Sequence, residues 1–431
     1  MNGSAADDTI VALSSGRPPA AIAVVRTSGP AALAAAERLS GGLPAPRQAV
    51  LRRLRDPGDQ VLIDEAVVVR FDGPGSATGE DIVEYQCHGG RATVDRLIAV
   101  LLAQPGIRLA EPGEFTRRAL ANGRIDLTEA EGLADLLAAE TERQRRSAMA
   151  RASGAVRARL DAWRDELLAL SARAEVAIDY ADEEDGASDP SLAGDIASLA
   201  SEMHQLLSRP RVEPLRDGVR VVVAGPPNAG KSSLVNALAQ SERAIVTDVA
   251  GTTRDVIEVP ISIGGVPFVL VDTAGLRNAT DLVESIGIGK AELEIEGADL
   301  VLWLGDPLEA PLSEKVIILR AKADLGPNRC EPSDQLSVSV VSGEGLSELV
   351  QTIMKRAEAL LPEGDELALD RRQHDLLKSA VNALERCRVL NEAVLIAEEL
   401  RVARGFIDRI SGRARIDDLL DTLFSRFCLG K

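Results

Sequence analysis

Apolar positions repeat with two different periods, and the changes of period divide the chain into four regions. Residues 1–120 mix β-rich runs with an amphipathic helical pattern, which predicts a compact α/β domain. Residues 121–215 have an almost wholly helical pattern, residues 216–363 alternate short β-rich runs with helical patterns, and residues 364–431 return to helix. Apolar residues of the second region alternate steps of four and three, which predicts a seam for helix packing: Val156, Leu160, Trp163, Leu167, Leu170, Ala174 and Ala177.

The two helical regions are predicted to form one discontinuous domain. Neither region can bury its apolar stripes alone, so we expect them to pack together with residues 216–363 inserted between them. Thr128 and Glu131 have capping-box spacing and predict a helix start. The β-rich runs of the inserted region predict a parallel sheet with crossover helices: Val219–Ala224, Pro267–Val271, Leu300–Leu304, Val316–Leu319 and Leu336–Val341.

Composition changes this picture mainly by exclusion. The 431 residues include 67 acidic and 49 basic ones, and a net charge of −18 argues against a protein that coats nucleic acid by charge alone. Four cysteines without C-x-x-C spacing argue against a disulfide scaffold or a structural zinc site. Residues 1–10 lack the features of a signal peptide, and no apolar stretch approaches membrane-spanning length. We therefore expect a soluble, cytoplasmic protein without a membrane span.

The segment Gly225–Ser232 reads Gly-Pro-Pro-Asn-Ala-Gly-Lys-Ser and matches a phosphate-binding loop between a strand and a helix. Its glycines let backbone amides wrap phosphate oxygens, Lys231 is placed to bridge the β- and γ-phosphates, and Ser232 is placed to bind Mg²⁺. Asp272-Thr273-Ala274-Gly275 follows a predicted strand and puts an acid beside the metal. A switch threonine is expected within Gly251–Asp255, which contains Thr252 and Thr253. The inserted region is thus predicted to be a Ras-like α/β P-loop domain.

The base is predicted to be guanine. In Lys322-Ala323-Asp324, which follows a predicted strand, the carboxylate can accept hydrogen bonds from N1–H and the 2-amino group of guanine, and adenine offers no such pair of donors. The alternative interpretation of Asp324 is a helix N-cap or a surface acid. Ala321 replaces the usual asparagine of this motif, which removes one base contact and a brace to the phosphate loop. Leu276 stands where a Ras-like enzyme has its water-orienting glutamine, so another polar group must orient the water.

Together with these motifs, further segments give the whole chain a specific resemblance. They are Asp8–Ala12, the stretch from Gly79-Glu80-Asp81 through His88-Gly89-Gly90, Glu111–Phe115 and Phe427–Lys431, which reads Phe-Cys-Leu-Gly-Lys. The chain resembles the tRNA-modification GTPase family called MnmE or TrmE. The resemblance implies a homodimer held by N-terminal folate-binding domains, and a GTPase activated by K⁺ and by pairing of its G domains.

The resemblance also implies roles for individual residues. Glu284 would position the attacking water, with Lys231, Thr253 and Asp272 completing the catalytic set. Ser232 and Thr253 would bind Mg²⁺, whereas Asn228, Thr247, Val249 and Thr252 would surround K⁺. The full set expected to contact GTP is Asn228, Ala229, Gly230, Lys231, Ser232, Ser233, Thr247, Asp248, Val249, Ala250, Gly251, Thr252, Thr253, Asp272, Thr273, Ala274, Gly275, Lys322, Asp324 and Ser339.

The family reaction modifies C5 of the wobble uridine of certain tRNAs. By resemblance, the chain would act with a flavin-dependent, FAD-containing partner, MnmG or GidA, in a hetero-oligomer. 5,10-Methylenetetrahydrofolate would supply one carbon, and 5-formyltetrahydrofolate is its analogue. Arg26, Glu84, Arg124 and Lys431 would contact the folate, and Cys428 is a candidate for the modification chemistry. We further predict that Cys428–Lys431 folds back onto the N-terminal domain.

Several alternatives compete with these interpretations. Arg26 and Glu84 could form only a surface salt bridge. Glu284 alone would be interpreted as a solvated acid, and Cys428 as a buried or interface residue. A ribosome-assembly GTPase would carry a basic RNA-binding module after its G domain, but an acidic helical segment follows here. The following arginines form either a solvated helix face or a docking strip for tRNA or an acidic partner: Arg143, Arg145, Arg146, Arg151, Arg157 and Arg159.

Overall fold

The chain divides into two compact units in this computed structural model. One unit comprises Met1–Ala134 with Ser411–Lys431, and the other comprises Asp135–Ile410. The structure describes residues 8–179, 189, 191–241, 243–244, 257–273, 292–325, 335–362, 367–413, 423–424, 427 and 430.

The first unit is built on a mixed sheet with the strand order β3-β4-β5-β2-β1-β6. β1 and β6 are parallel, and the other neighbours are antiparallel. Tyr85 of β5 and Leu97 of α2 are fully buried in one core with side chains of α1. The elements are β1 (Thr9–Leu13), β2 (Ile22–Ser28), α1 (Ala32–Ser40), β3 (Val50–Arg55), β4 (Leu62–Phe71), β5 (Ile82–His88), α2 (Arg91–Leu102), β6 (Ile107–Leu109), α3 (Glu114–Ala121) and α4 (Leu127–Ala138).

The start of α4 corrects one local prediction. The capping pair is Asp126 and Glu129, not Thr128 and Glu131. The Glu129 amide donates to Asp126 Oδ1 at 2.9 Å, and the Asp126 amide donates to Glu129 Oε2 at 2.7 Å. Thr128 already lies within the helix and donates its hydroxyl to the same Asp126 carboxylate. Aspartate is a strong N-cap residue, and the apolar pattern alone placed the boundary two residues late.

The second unit contains most of the predicted discontinuous helical domain, whereas residues 121–134 and 411–431, which the prediction placed in that domain, belong to the first unit. Six of the seven predicted seam residues are buried, and they share one core with buried side chains from 369–410. Residues far apart in sequence therefore close a single helical core around the inserted region, which confirms the discontinuous architecture. The helices are α5 (Glu142–Ala152), α6 (Ala155–Asp179), α7 (Leu192–Leu207), α8 (Glu213–Arg216), α11 (Arg371–Cys387) and α12 (Ala393–Ile410).

The inserted region is an α/β domain with the strand order β13-β12-β11-β7-β10-β9-β8. The strands from β13 to β10 run parallel, whereas β9 and β8 add an antiparallel edge. The pattern did not predict β9, which carries Pro260 opposite Val269. The elements are β7 (Val219–Ala224), α9 (Lys231–Ser241), β8 (Arg243–Ala244), β9 (Ile257–Ile263), β10 (Val266–Asp272), β11 (Leu300–Trp303), β12 (Val316–Ala321), β13 (Leu336–Val338) and α10 (Leu346–Glu358), with a further helical segment at 292–297.

The arginine-rich stretch around α5 does not present a continuous row of unpaired cations. Arg145 and Arg146 both bond to Glu142, Arg159 pairs with Glu202, and Arg151 is buried against Asp135. These contacts favour the interpretation as a charge-paired helix face over that of a docking strip. None of the helices that the structure describes is long and apolar enough to cross a membrane.

Candidate functional site

The phosphate loop joins β7 to α9 in a conformation that depends on glycine at its first position. Gly225 has φ +141°, and a Cβ there would lie 2.5 Å from the carbonyl oxygen of Leu304. Asn228 also has a positive φ, of 60°, which asparagine tolerates better than most residues. The loop then enters α9 at Lys231, so its amides and the positive end of the helix dipole point to the same place. This arrangement is suited to binding phosphate.

Lys231 is held inside the loop. Its side chain is largely buried, and Nζ donates to the carbonyl oxygens of Gly225 at 3.0 Å and Pro226 at 2.8 Å. These bonds fix a positive charge at the centre of the loop, where phosphate oxygens would lie.

Asp272 ends the strand that lies parallel to β7. It stands opposite Val223 in the register and is 3% exposed, and the Thr273 hydroxyl donates to the Val223 carbonyl at 2.9 Å. The parallel pairing brings the carboxylate to the same sheet edge as the phosphate loop. Ser232 lies exposed in the first turn of α9. A hydroxyl and a carboxylate near phosphate are the oxygen ligands that Mg²⁺ prefers, so these residues fit the predicted metal.

The predicted base-binding residues line one cavity of about 220 Å³. Asp324, Lys322, Ala321, Val340 and Ala229 are among its lining residues. They come from the ends of parallel strands and from the phosphate loop, which is where a base would lie next to its phosphates.

Two hydrogen bonds order this cavity. The Ser339 hydroxyl, which is fully buried, donates to Asp324 Oδ1 at 2.6 Å and so orients the carboxylate. The Lys322 ammonium donates to the Asn228 carbonyl at 2.9 Å. Lys322 thus connects the segment Lys322–Asp324 to the phosphate loop, a connection that the side chain of Ala321 cannot make. A second cavity of about 660 Å³ shares Ala229, Leu304, Ala321 and Lys322 with the first.

Three of the four predicted folate residues lie together in the first unit. Arg26, Glu84 and Arg124 line a cavity of about 350 Å³. Arg26 and Glu84 are direct partners across β2 and β5, and Arg26 Nε and Nη2 donate to Glu84 Oε1 at 2.9 and 2.7 Å. The Arg26 guanidinium also lies 5.7 Å from the Phe115 ring centroid. The salt bridge of the alternative interpretation therefore exists, and it lies in the wall of a cavity.

Three of the sequence motifs meet in a charged network next to this cavity. Arg118 is buried and donates to Asp8 Oδ1 at 2.7 Å, to Glu114 Oε1 at 3.0 Å and to Glu80 Oε2 at 3.1 Å. Arg108 binds Asp8 and Glu114 as well. Burial alone would lower the pKa of Arg118, but hydrogen bonds and charge from its carboxylate partners hold it above its usual value. The network keeps Arg118 charged and ties α3 to the loop before β5.

The C-terminal residues that the structure describes pack on the N-terminal part of the first unit, Gly430 at the end of β1 and Phe424 at the start of α3. The Ser14 hydroxyl donates to the Gly430 carbonyl at 2.8 Å, and a Cβ on Gly430 would lie 2.1 Å from the Leu13 carbonyl oxygen. Phe424 and Phe427 are buried, and the Arg117 guanidinium lies 5.3 Å from the Phe424 ring centroid. For Gly430, the predicted return of the tail is confirmed.

Sequence reasoning missed Arg47, Phe71 and Ser76, which line the same cavity as Glu84. They lie in turns and at a strand end, and no spacing pattern in the sequence marks them. The following predicted site residues lie outside the described residues: Thr247, Asp248, Val249, Ala250, Gly251, Thr252, Thr253, Ala274, Gly275, Glu284, Cys428 and Lys431.

The α/β domain with its phosphate loop, its buried Asp272 and the Lys322-x-Asp324 pair defines a P-loop GTPase. Comparison with known proteins then identifies the family. The family model "MnmE helical domain" matches residues 127–428, and "GTP-binding protein TrmE N-terminus" matches residues 9–124.

Curated relatives match the chain over nearly its full length. The chain is 50% identical over 426 residues to the tRNA modification GTPase MnmE of Erythrobacter litoralis, covering 98% of this chain and 100% of that one. It is 52% identical over 433 residues to that of Rhizorhabdus wittichii, covering 100% and 98%. A solved G domain of the T. maritima FeoB iron transporter is 29% identical, covers 32% of this chain and 98% of that one, and has a TM-score of 0.25. The chain belongs to the MnmE family of tRNA modification GTPases.

Proposed function

We propose that this chain hydrolyses GTP and couples the hydrolysis to modification of C5 of the wobble uridine in certain tRNAs. The observation that carries this is the phosphate loop with the Asp324 cavity, in a chain related over its full length to tRNA modification GTPases. We place the activity in the cytoplasm, because the tRNA substrate is found there.

The described residues support distinct roles in binding GTP. Lys231 would neutralise the β- and γ-phosphates, and Asp324 would read the guanine edge. Ser232 would bind Mg²⁺ together with Thr253, which lies outside the described residues, and Asp272 would lie beside the metal. Mg²⁺ supplies charge neutralisation during phosphoryl transfer. Ser339 would act on the base through Asp324, because its hydroxyl is committed to that carboxylate.

We further propose that K⁺ activates hydrolysis. Asn228 lies in the phosphate loop, its side chain is exposed and its amide oxygen is a suitable ligand for a monovalent cation. Thr247, Val249 and Thr252 complete the proposed set, and Glu284 is proposed to orient the water that Leu276 cannot. Pairing of two G domains would complete the arrangement.

The one-carbon chemistry is proposed to use 5,10-methylenetetrahydrofolate in the cavity of Arg26, Glu84 and Arg124, with Lys431. The cavity fits this group because Glu84 offers a carboxylate to the pterin's N3–H and 2-amino group, while the arginines offer positive charge to its acidic end. The proposed partner is the FAD protein MnmG, and the proposed assembly is a homodimer joined to it. Cys428 stays a candidate for the modification chemistry.

Nucleoside analysis of bulk tRNA tests the central proposal. Cells that lack this protein should lose C5-modified wobble uridine, and the wild-type gene should restore it. A Lys231→Ala gene should not restore it, because the phosphates lose their fixed cation, whereas Arg53→Ala, at an exposed arginine of β3, should restore it fully. Unchanged nucleosides in the deletion strain would contradict the proposal.

Deletion of residues 428–431 tests the link between the tail and the folate cavity. It should abolish tRNA modification and weaken binding of 5-formyltetrahydrofolate, while leaving GTP hydrolysis largely intact, because the G domain has its own core. Folate binding equal to that of the full chain would show that the tail is only structural.

A further inference from the structure

The cavity that contains Glu84 has more positive charge than its own acidic side chain neutralises. Arg26, Arg47 and Arg124 line it together with Glu84, and Glu84 is already bonded to Arg26. Among the described residues, no carboxylate forms an ion pair with Arg47 or Arg124. An excess of two positive charges in one cavity favours a ligand with a dianionic group.

Arg47 is fixed in an unusual conformation. Its φ is +60°, a region that non-glycine residues adopt rarely and at some cost. Its amide donates to the Arg70 carbonyl at 2.8 Å, and its Nη2 donates to the Gly75 carbonyl at 2.6 Å. The guanidinium lies 5.6 Å from the Phe71 ring centroid. These contacts hold the guanidinium on an aromatic surface at the cavity wall, although the residue is exposed.

Ser76 adds a second observation at the same wall. It is 2% exposed, and its hydroxyl has no hydrogen-bond partner among the described residues. A buried polar group without a partner is uncommon in folded proteins and is found at binding sites.

We propose that Arg47, held on Phe71, binds the glutamate end of a folate whose pterin end is bound by Glu84. This inference rests on the folate part of the proposed function. The two ends of a folate need opposite partners: the pterin presents donors to a carboxylate, and the glutamate presents two carboxylates to cations. Glu84 has a side chain only 17% exposed, whereas Arg47 is exposed, so the pterin lies inward and the glutamate at the mouth. A guanidinium can bind a carboxylate through two parallel hydrogen bonds.

Calorimetric titration of the full-length protein tests this assignment with two ligands. One is 5-formyltetrahydrofolate, and the other is 6-methyltetrahydropterin, which lacks the glutamate end. Arg47→Gly should weaken the first by roughly 10- to 100-fold, as expected for lost hydrogen bonds between charged groups. It should leave binding of the second unchanged. Glycine is chosen because it adopts the +60° φ of this position without strain.

Three further measurements separate this role from a structural one. Gln60→Gly changes a residue with the same backbone conformation, φ +62°, outside the cavity lining, and should change neither affinity. Raising the salt concentration should weaken 5-formyltetrahydrofolate binding more in the wild type than in Arg47→Gly, because an ionic contact is screened. Arg47→Lys should give an intermediate affinity, because it keeps the charge and loses the fork.

The outcomes are distinguishable. Equal 5-formyltetrahydrofolate affinity in wild type and Arg47→Gly overturns the inference while leaving a folate site at Glu84 intact. A salt dependence that Arg47→Gly leaves unchanged, or an equal loss of both ligands, also overturns it, because the residue then acts only through the fold. Failure of wild type to bind 5-formyltetrahydrofolate at all removes the folate part of the proposed function itself.

Discussion

Arg118 is the centre of the charged network in the first unit, and Arg118→Met should destabilise that unit strongly. Its side chain is 6% exposed and reaches Asp8, Glu80 and Glu114 at 2.7 to 3.1 Å. Methionine keeps most of the volume but leaves three carboxylates without this cation. Breaking a buried ion pair typically costs about 3–5 kcal/mol. We expect about 3 kcal/mol, the lower end of that range, because Asp8 is 34% exposed and Arg108 still binds two of the carboxylates.

The effect should depend on pH. Burial by itself would raise the pKa of Glu114, but hydrogen bonds from Arg108, the Glu111 amide and Arg118 hold it below its ordinary 4.5. Burial likewise opposes the lowered pKa of Asp8, which the two arginines hold below its ordinary 3.8. Carboxylates whose pKa falls on folding stabilise the folded state above their unfolded pKa, and this stability is lost as the pH falls through the folded pKa. The difference between wild type and Arg118→Met should therefore be largest near neutral pH and shrink in acid.

Hydrogen exchange of the β1 and β2 amides is the suitable assay. Trp163 and Trp303 both lie in the second unit, so tryptophan fluorescence would not report on the first. After correction for the pH dependence of intrinsic exchange, about 3 kcal/mol corresponds to roughly 100-fold less protection. The control is Arg53→Met, since Arg53 is 70% exposed, pairs with Glu65 at 2.7 Å and should contribute less than about 1 kcal/mol. Equal loss of protection in the two variants would refute the reasoning.

Three further predictions concern the G domain. Asp324→Asn should weaken GTP binding and favour xanthosine nucleotides, because the donor and acceptor pattern facing C2 inverts; equal GTP affinity by titration would contradict it. 7-Deaza-GTP should bind wild type as tightly as GTP, because Ala321 has no donor for N7, and Ala321→Asn should create a preference for GTP of up to about tenfold; the same ratio in both proteins would exclude this. GTP hydrolysis should be faster in K⁺ than in Na⁺ at matched ionic strength, and Asn228→Ala should remove the difference, whereas equal wild-type rates would rule out cation activation.

Local sequence patterns were sufficient to predict the architecture and the phosphate loop. The helical seam from Val156 to Ala174 can be predicted from the spacing of apolar residues within one segment, without knowledge of the helices that pack against it. The residues at that spacing are the buried ones. The phosphate loop can also be predicted from one short segment. Its backbone geometry requires glycine at 225, and phosphate binding requires the positive charge of Lys231.

Elements that depend on distant partners were not predicted. The strand β3 reads Val-Leu-Arg-Arg-Leu-Arg, and Leu54 is its one fully buried residue. The strand β3 lies at the edge of the sheet and pairs with β4 alone, so most of its side chains stay accessible to solvent. Arg151 is one of a row of arginines, and the sequence pattern predicts an exposed side chain. In the structure its side chain is only 2% exposed, because it packs against Asp135 and Asp370. Arg47 owes its place at the cavity to a positive φ and to Phe71, neither of which a linear pattern shows.

The motifs that indicate the family in the first unit do two different things. Glu84 lines the cavity directly, whereas Glu80 and Glu114 bind Arg118. The Glu80 network still bears on the cavity, because Gly75, Ser76 and Ala77 belong to the same loop before β5 and line it. A substitution at Glu80 should therefore lower folate affinity and local stability together, whereas Glu84→Ala should lower affinity with little change in hydrogen exchange. The ratio of the change in folate affinity to the change in hydrogen exchange, and not the presence of a motif, distinguishes a residue that contacts the ligand from one that supports the site.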